Sequence, residues 1–167
     1  MNDDIYAEWL VKRKAPAYLP LIYIAGVILG LIAIWLMISF KWGFVAFIIV
    51  AFVLFVGRRF LSVEYEYTFV TNELDIDRIF SKTSRRNAMN IQMSSVESVE
   101  PATEQKRQQL TQGGASYKNF TSREADAQTY FIIFSNEDEG RTVVEFEPNE
   151  KVLNAMWRCS PSKVKRQ

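Results

Sequence analysis

Residues 15–57 read APAYLPLIYIAGVILGLIAIWLMISFKWGFVAFIIVAFVLFVG, and only one of these 43 residues, Lys41, is charged. The hydrocarbon core of a bilayer is about 30 Å thick, so each helical crossing takes about 20 apolar residues. The stretch is therefore long enough for two crossings, with Lys41 at the turn between them. We predict a membrane α-helical hairpin over residues 15–61, with transmembrane helices at about 19–40 and 42–60.

Basic residues flank this hairpin on one side. They are Lys12, Arg13, Lys14, Arg58 and Arg59. Because cytoplasmic flanks of transmembrane helices are enriched in Lys and Arg, we predict a multi-pass protein of the plasma membrane with both termini in the cytoplasm. The turn then faces outward, with Trp42 as an interfacial anchor. A single crossing followed by a re-entrant segment is the alternative arrangement.

Small residues form a stripe on the first predicted helix. Gly26 and Gly30 make a GxxxG element, and Ala33 extends it. Such a stripe lets another helix approach closely. We expect the second helix of the same chain to be its packing partner, and self-association into a homo-oligomer through this stripe is the alternative. Neither predicted helix carries an internal charge, which argues against an ion path or a transported substrate.

The N-terminal segment, residues 1–14, has apolar residues at helical spacing. One helical face would carry Ile5, Tyr6, Trp9 and Leu10. Acidic residues at its start and basic residues at its end suit a helix dipole. The pattern predicts an interfacial amphipathic helix in the headgroup layer, with Trp9 as an anchor. Packing of the same apolar residues on the soluble domain is the alternative.

The remainder of the chain is electrically neutral, with 16 basic and 16 acidic residues between Arg58 and Gln167. Nucleic-acid binding depends on excess positive charge, so we expect no nucleic-acid partner. The whole chain contains no histidine and a single cysteine, Cys159. Histidine-based catalysis, thiolate zinc sites and an internal disulfide are thereby excluded. We expect a protein that is not an enzyme and that has no cofactor and no metal.

From residue 62 onward the hydrophobic pattern changes to the alternation typical of β-strands. Strands are predicted at about 63–69, 74–80, 89–93, 96–101, 130–134 and 142–146, and an amphipathic helix from Pro148 to about Arg158. Residues 102–127 lack any such pattern and are rich in polar residues, which predicts a flexible insert. Residues 161–167 are predicted to form a basic tail.

The segment 67–77, YTFVTNELDID, is similar to the hairpin that opens bacterial pleckstrin-homology-like (PH-like) domains, although Glu73 stands where that motif often has Gly or Arg. The order of elements also resembles bacterial PH-like two-span membrane proteins. Residues 5–14 and 146–151 are similar to the ends of a small family of Firmicutes membrane proteins. The resemblance implies a mainly-β (α+β) cytoplasmic domain over residues 62–160. Its fold would be a partly open β-barrel or sandwich closed by the C-terminal amphipathic helix.

Two groups of charged residues were weighed as binding sites. Asp75 and Asp77 are suitable ligands for a divalent cation, but carboxylates alternating on a strand favour a solvated face, and we predict no metal there. Basic residues suit phosphate, Arg through its bidentate geometry. The candidate lipid-phosphate contacts are Lys12, Arg13, Lys14, Arg58, Arg59, Lys82, Arg85 and Arg86, the last three in a basic connection between strands like the headgroup loop of some PH domains.

The predicted function is that of a membrane-anchored, non-catalytic interaction or scaffold domain at the cytoplasmic membrane face. Its partners would be the lipid bilayer and an unidentified membrane or cytoplasmic protein. From Gly57, the end of the apolar stretch, to Val63 the chain runs only about six residues, or about 20 Å, so the domain would be held close to the bilayer. The alternative is a sensor or regulatory subunit that assembles through its helices and binds anionic lipid.

Overall fold

The computed structural model describes residues 5–40, 42–59, 62–112, 114–136 and 140–165, with the backbone alone at residues 57–59 and 136. The described strands are β1 (Tyr6–Lys12), β2 (Val63–Val70), β3 (Glu73–Phe80), β4 (Ser84–Gln92), β5 (Val96–Pro101), β6 (Ser116–Asn119), β7 (Tyr130–Asn136) and β8 (Gly140–Phe146). The helices are α1 (Leu19–Ser39), α2 (Gly43–Arg59), α3 (Glu104–Gln112) and α4 (Glu150–Cys159). The chain divides into a helical unit, residues 15–63 with 80–84, and a β domain formed by the rest.

The helical unit consists mainly of α1 and α2, close to the bounds predicted for the hairpin. Within the described residues, α1 alone is both long enough and apolar enough to cross a membrane, and the apolar part of α2, Gly43–Val56, is shorter. Large apolar side chains of both helices are exposed, for example Leu31 and Phe52. The prediction of two crossings therefore stays a prediction.

The small-residue stripe of α1 lies at its contact with α2. Ala33 is buried, and a Cβ atom added at Gly26 would lie 3.2 Å from Leu54 Cδ2. Gly30 has open space beside it, whereas a Cβ atom at Gly43 would overlap the main-chain carbonyl of Leu36. Close packing of the two helices thus depends on Gly26 and Gly43.

The β domain contains two four-stranded sheets. Sheet A has the order β1-β2-β3-β4, and sheet B has the order β5-β7-β8-β6, with β6 parallel to β8. The two sheets are not joined into a closed barrel. The largest fully buried side chains come from both sheets and α4, and they include Tyr67, Phe69, Leu74, Ile76, Ile91, Phe131, Ile132, Phe146 and Met156.

The C-terminal helix is formed as predicted. The side chain of Asn149 accepts a hydrogen bond from the Val152 main chain at 2.9 Å, which caps the first turn of α4. Val152, Ala155 and Met156 form the buried face of this helix. Beyond it, the predicted tail is partly held on sheet B, because Val99 donates to Lys163 O and accepts from the Lys165 N–H, both at 2.8 Å.

The prediction of an N-terminal helix is wrong, because Tyr6–Lys12 form strand β1, antiparallel to β2. The alternation of Ala7, Trp9 and Val11 matches the register of Phe69, Tyr67 and Tyr65. A short isolated helix is marginal in water, whereas pairing satisfies a row of main-chain groups and buries Ala7 and Val11. The alternative, packing of this segment on the soluble domain, is what the structure shows.

The prediction of a flexible insert at residues 102–127 is also wrong. This region contains α3 and β6, and Phe120, Thr121 and Ser122 are buried. Leu110 and Tyr117 pack against a cluster on sheet B formed by Phe131, Ile133 and Val143. The segment before β4 needs a smaller correction, since that strand begins at Ser84 and places Arg85 and Arg86 in a strand.

Candidate interaction surface

Strand β1 is an edge strand of sheet A, and its outer edge is open. The Thr71 N–H donates to Ile5 O at 2.9 Å, which fixes the odd-numbered residues of β1 as those that exchange hydrogen bonds with β2. The even-numbered residues Tyr6, Glu8, Leu10 and Lys12 therefore direct their main-chain groups away from the sheet. Within the described ranges these groups have no hydrogen-bond partner. We call this row of main-chain groups the open edge.

Each end of the open edge is bordered by another part of the β domain. At the C-terminal end, the Lys14 N–H donates to Ser122 O at 2.7 Å. At the N-terminal end a cavity of about 330 Å³ lies between parts of β1 and α4, and its lining residues are Ile5, Tyr6, Ala7, Lys151, Asn154, Ala155 and Arg158. Of these, Lys151 and Arg158 form no ion pair within the described part of the chain. The middle of the edge, from Glu8 to Lys12, is left accessible.

The side chains beside the open edge are also exposed. Tyr6 is 60% exposed, Leu10 45% and Trp9 41%. Glu8 and Lys12, both exposed, lie on the same face of β1 as Leu10. An accessible edge strand with apolar and charged side chains of this kind is a template for pairing with another strand. Sequence analysis missed this surface because it assigned the segment to a helix, although the alternation of Ala7, Trp9 and Val11 was a signal for it.

The carboxylates weighed as a cation site are occupied by protein donors. Asn87 Nδ2 lies 3.0 Å from Asp77 Oδ1, and Asn90 Nδ2 lies 2.8 Å from Asp75 Oδ1. Arg85 Nε pairs with Asp77 at 2.8 Å. Among the residues that the structure describes, no group of three or more His, Cys, Asp or Glu side chains is arranged to hold a metal ion.

The basic residues considered for lipid phosphate do not form one site in the β domain. Lys14 pairs with Glu124 at 2.7 Å, and Arg85 pairs with both Glu66 and Asp77. Arg86 is exposed without an ion pair to any described residue. The remaining basic residues do not lie together. Lys12 is exposed on β1, Arg13 is half-buried, and Lys82 is exposed in the helical unit. The side chains of Arg58 and Arg59 lie outside the described part of the structure.

A buried ionic network holds the insert on sheet B. Glu145 on β8 is 2% exposed, and the Arg107 guanidinium of α3 donates to both of its oxygens, at 3.1 Å and 2.6 Å. Thr129 Oγ1 donates to Glu145 at 2.8 Å, and Tyr117 and Asn119 of the β6 strand also donate to it. Sequence analysis did not find this network, because its members come from four separate segments.

The electrostatics of this network favour the ionised carboxylate. Burial disfavours the charged form of Glu145, but hydrogen bonds from Arg107, Tyr117 and Thr129 outweigh it and lower the pKa of the carboxyl. Hydrogen bonding to Glu145 raises the pKa of the Arg107 guanidinium. With both charges paired and the oxygens already accepting five hydrogen bonds from four side chains, the network stabilises the fold and offers no free group for chemistry.

A family model described as a bacterial PH-like domain (DUF6106) matches residues 3–166. The match covers both apolar helices as well as the β domain, and it confirms the PH-like resemblance. Neither a curated protein nor a solved structure matches the chain.

Proposed function

Because the chain belongs to the bacterial PH-like domain family DUF6106, we propose that it is a membrane-anchored, non-catalytic interaction module. Its β domain would be presented at the cytoplasmic face of the plasma membrane. The observation that carries this proposal is α1, a 21-residue helix that is apolar on all sides. Such a helix requires either a large protein core or lipid around it, and its side chains are mostly exposed.

The proposed anchor is a two-span hairpin. The 17 residues of α2 extend about 26 Å, slightly less than the hydrocarbon core. Arg58 and Arg59 end this helix in the sequence, and their long side chains suit the headgroup layer. The excess of basic residues on that side supports cytoplasmic termini.

An interaction role is favoured over the alternatives by the β domain itself. Every oxygen of its most buried carboxylate, Glu145, already accepts hydrogen bonds. By contrast, the main-chain groups of the open edge have no partner among the described residues and can pair with another strand. Assembly through the helices, as in the regulatory-subunit alternative, is less supported because Gly26 already lies against Leu54 of the same chain.

The topology can be tested with single cysteines in a Cys159→Ser background. Lys41→Cys should react with a membrane-impermeant maleimide on intact cells, and Ser162→Cys should react only after the cells are opened. Both proteins should stay in the membrane pellet after alkaline carbonate extraction. Labelling of Ser162→Cys on intact cells would instead place the β domain outside the cell and would contradict the proposed cytoplasmic orientation.

A further inference from the structure

We propose that two copies of this chain pair through their open edges, β1 against β1, across a two-fold axis. This would join two copies of sheet A into one eight-stranded sheet. The inference deepens the proposed interaction role, on which it rests, by identifying the partner as a second copy of the chain. It concerns the β domain and is independent of how many times the chain crosses the membrane.

The open edge of β1 leaves main-chain donors and acceptors without partners among the described residues. Edge strands are usually protected by charged side chains, a proline, a bulge or a covering element, and the two charges on β1, Glu8 and Lys12, are of opposite sign, so a second copy can pair with them. β1 contains no proline and runs in continuous register with β2. Ser122 covers one end and α4 borders the other, so the stretch from Glu8 to Lys12 can accept another strand.

The sequence of β1 favours one register of pairing between two copies. Antiparallel pairing of two open edges must place even-numbered residues opposite even-numbered residues. A register centred on Glu8 sets two carboxylates opposite each other, and registers centred on Trp9 or Val11 set Leu10 opposite the charge of Glu8 or of Lys12. A register centred on Leu10 sets Glu8 opposite Lys12 of the second copy, twice over, and Leu10 opposite its own counterpart. Opposite charges and apolar pairs at facing positions stabilise a sheet, whereas like charges destabilise it.

The register centred on Leu10 therefore makes the strand self-complementary, as an isologous two-fold interface requires. On the other face of the sheet, Trp9 comes opposite Val11 of the second copy. Lys14 of the second copy would approach Tyr6, where the cavity between β1 and α4 leaves about 330 Å³. Two copies confined to one membrane meet at high effective concentration, so a short interface suffices.

An acidic extended segment of another protein is the competing occupant. Lys151 and Arg158 on the wall of the cavity would attract it. A second copy is favoured because the pairing of Glu8 with Lys12 uses residues on the open edge itself and needs no further assumption about a partner. Disulfide trapping combined with charge exchange distinguishes a second copy from an acidic segment of another protein.

The pairing can be tested by disulfide trapping of the full-length protein in its native membranes. In the Cys159→Ser background, Leu10→Cys places two cysteines opposite each other with Cα atoms about 5.5 Å apart, within disulfide range. Mild oxidation should convert most of the protein into a disulfide-linked dimer. The matched control is Val70→Cys, since Val70 is 41% exposed at the end of the neighbouring strand β2. It should stay monomeric.

Charge exchange tests the register. In the Leu10→Cys background, Glu8→Lys or Lys12→Glu alone sets like charges opposite each other at two places and should reduce the yield of dimer several-fold. The double variant Glu8→Lys/Lys12→Glu should restore it, which a merely unfolded protein would not do. Lys151→Glu/Arg158→Glu should leave the yield unchanged.

Three results would overturn the proposal. They are equal cross-linking of Leu10→Cys and Val70→Cys, a dimer yield insensitive to the charge exchanges, and a cross-link to another protein that is lost in Lys151→Glu/Arg158→Glu. The last would favour the acidic segment. Because the topology labelling does not depend on pairing, a monomeric chain with the expected labelling pattern would leave the membrane-anchor proposal standing.

Discussion

Single buried carboxylates, in addition to apolar contacts, hold the insert of this domain in place. Glu145 accepts from four side chains, and Glu100, 5% exposed, pairs with Lys106 of α3. A sequence pattern cannot reveal such partners, because each donor lies far along the chain from its acceptor. The polar composition of residues 102–127 therefore predicted flexibility where specific ionic pairs impose order.

We expect Glu145→Gln to lower the free energy of unfolding by about 2 kcal/mol, because it leaves the Arg107 guanidinium without its charged partner. Chemical unfolding of the purified full chain in detergent micelles, followed by tryptophan fluorescence, would measure this. The control is Glu97→Gln, which breaks an exposed pair with Arg141 at 3.2 Å. Its effect should be under about 1 kcal/mol. Equal effects of the two variants would contradict a structural role for the buried network.

The same network predicts a pH dependence. Burial opposes ionisation of Glu145, but its hydrogen bonds lower the carboxyl pKa below the ordinary 4.5. A carboxyl whose pKa is depressed on folding contributes stability that is present above the ordinary pKa and is lost as the pH falls through the lowered value. The difference in unfolding free energy between the wild-type protein and Glu145→Gln should therefore shrink at acidic pH. A difference that stays constant from pH 7 to pH 3 would disprove the linkage.

Among the elements, β1 shows where sequence patterns compete. Its residues satisfy a helical spacing through Ile5, Trp9 and Leu10 and a strand spacing through Ala7, Trp9 and Val11. Local spacing could not decide between them, because the deciding contact is with β2, more than fifty residues along the chain. Strands β7 and β8 could be predicted because their short apolar runs fit a strand and not a helix. Helix α4 could be predicted because its N-terminal cap and its apolar face both indicate the same helix.

Proline substitution should distinguish the two edges of β1. Ala7→Pro removes an N–H that faces β2, so we expect a loss of about 2 kcal/mol in unfolding free energy. Leu10→Pro removes an N–H on the open edge, where proline is tolerated, and its effect on stability should be much smaller. The same unfolding measurement applies to both variants. A Leu10→Pro protein as unstable as Ala7→Pro would show that the main-chain groups of the open edge are already paired, within the chain or with a second copy.

At the scale of the whole molecule, the sequence was sufficient to locate the apolar helices and the PH-like domain. The family match and the two four-stranded sheets agree with that prediction. The sequence did not reveal which residues belong to the helical unit and which to the β domain. The change in hydrophobic pattern at residue 62 suggested an anchor followed by a domain, whereas the β domain takes residues from both sides of the helices.

That arrangement makes the apolar hairpin an insertion in the connection between two neighbouring strands, β1 and β2. Truncation before residue 62 would therefore remove an edge strand along with the helices and expose β2 in its place. A soluble form of the β domain should instead keep residues 5–14 and join Lys14 to Ser62 through a short flexible linker. During synthesis, sheet A can be completed only after both helices have been made, because β2 follows them in the chain, so folding of the domain would follow formation of the hairpin.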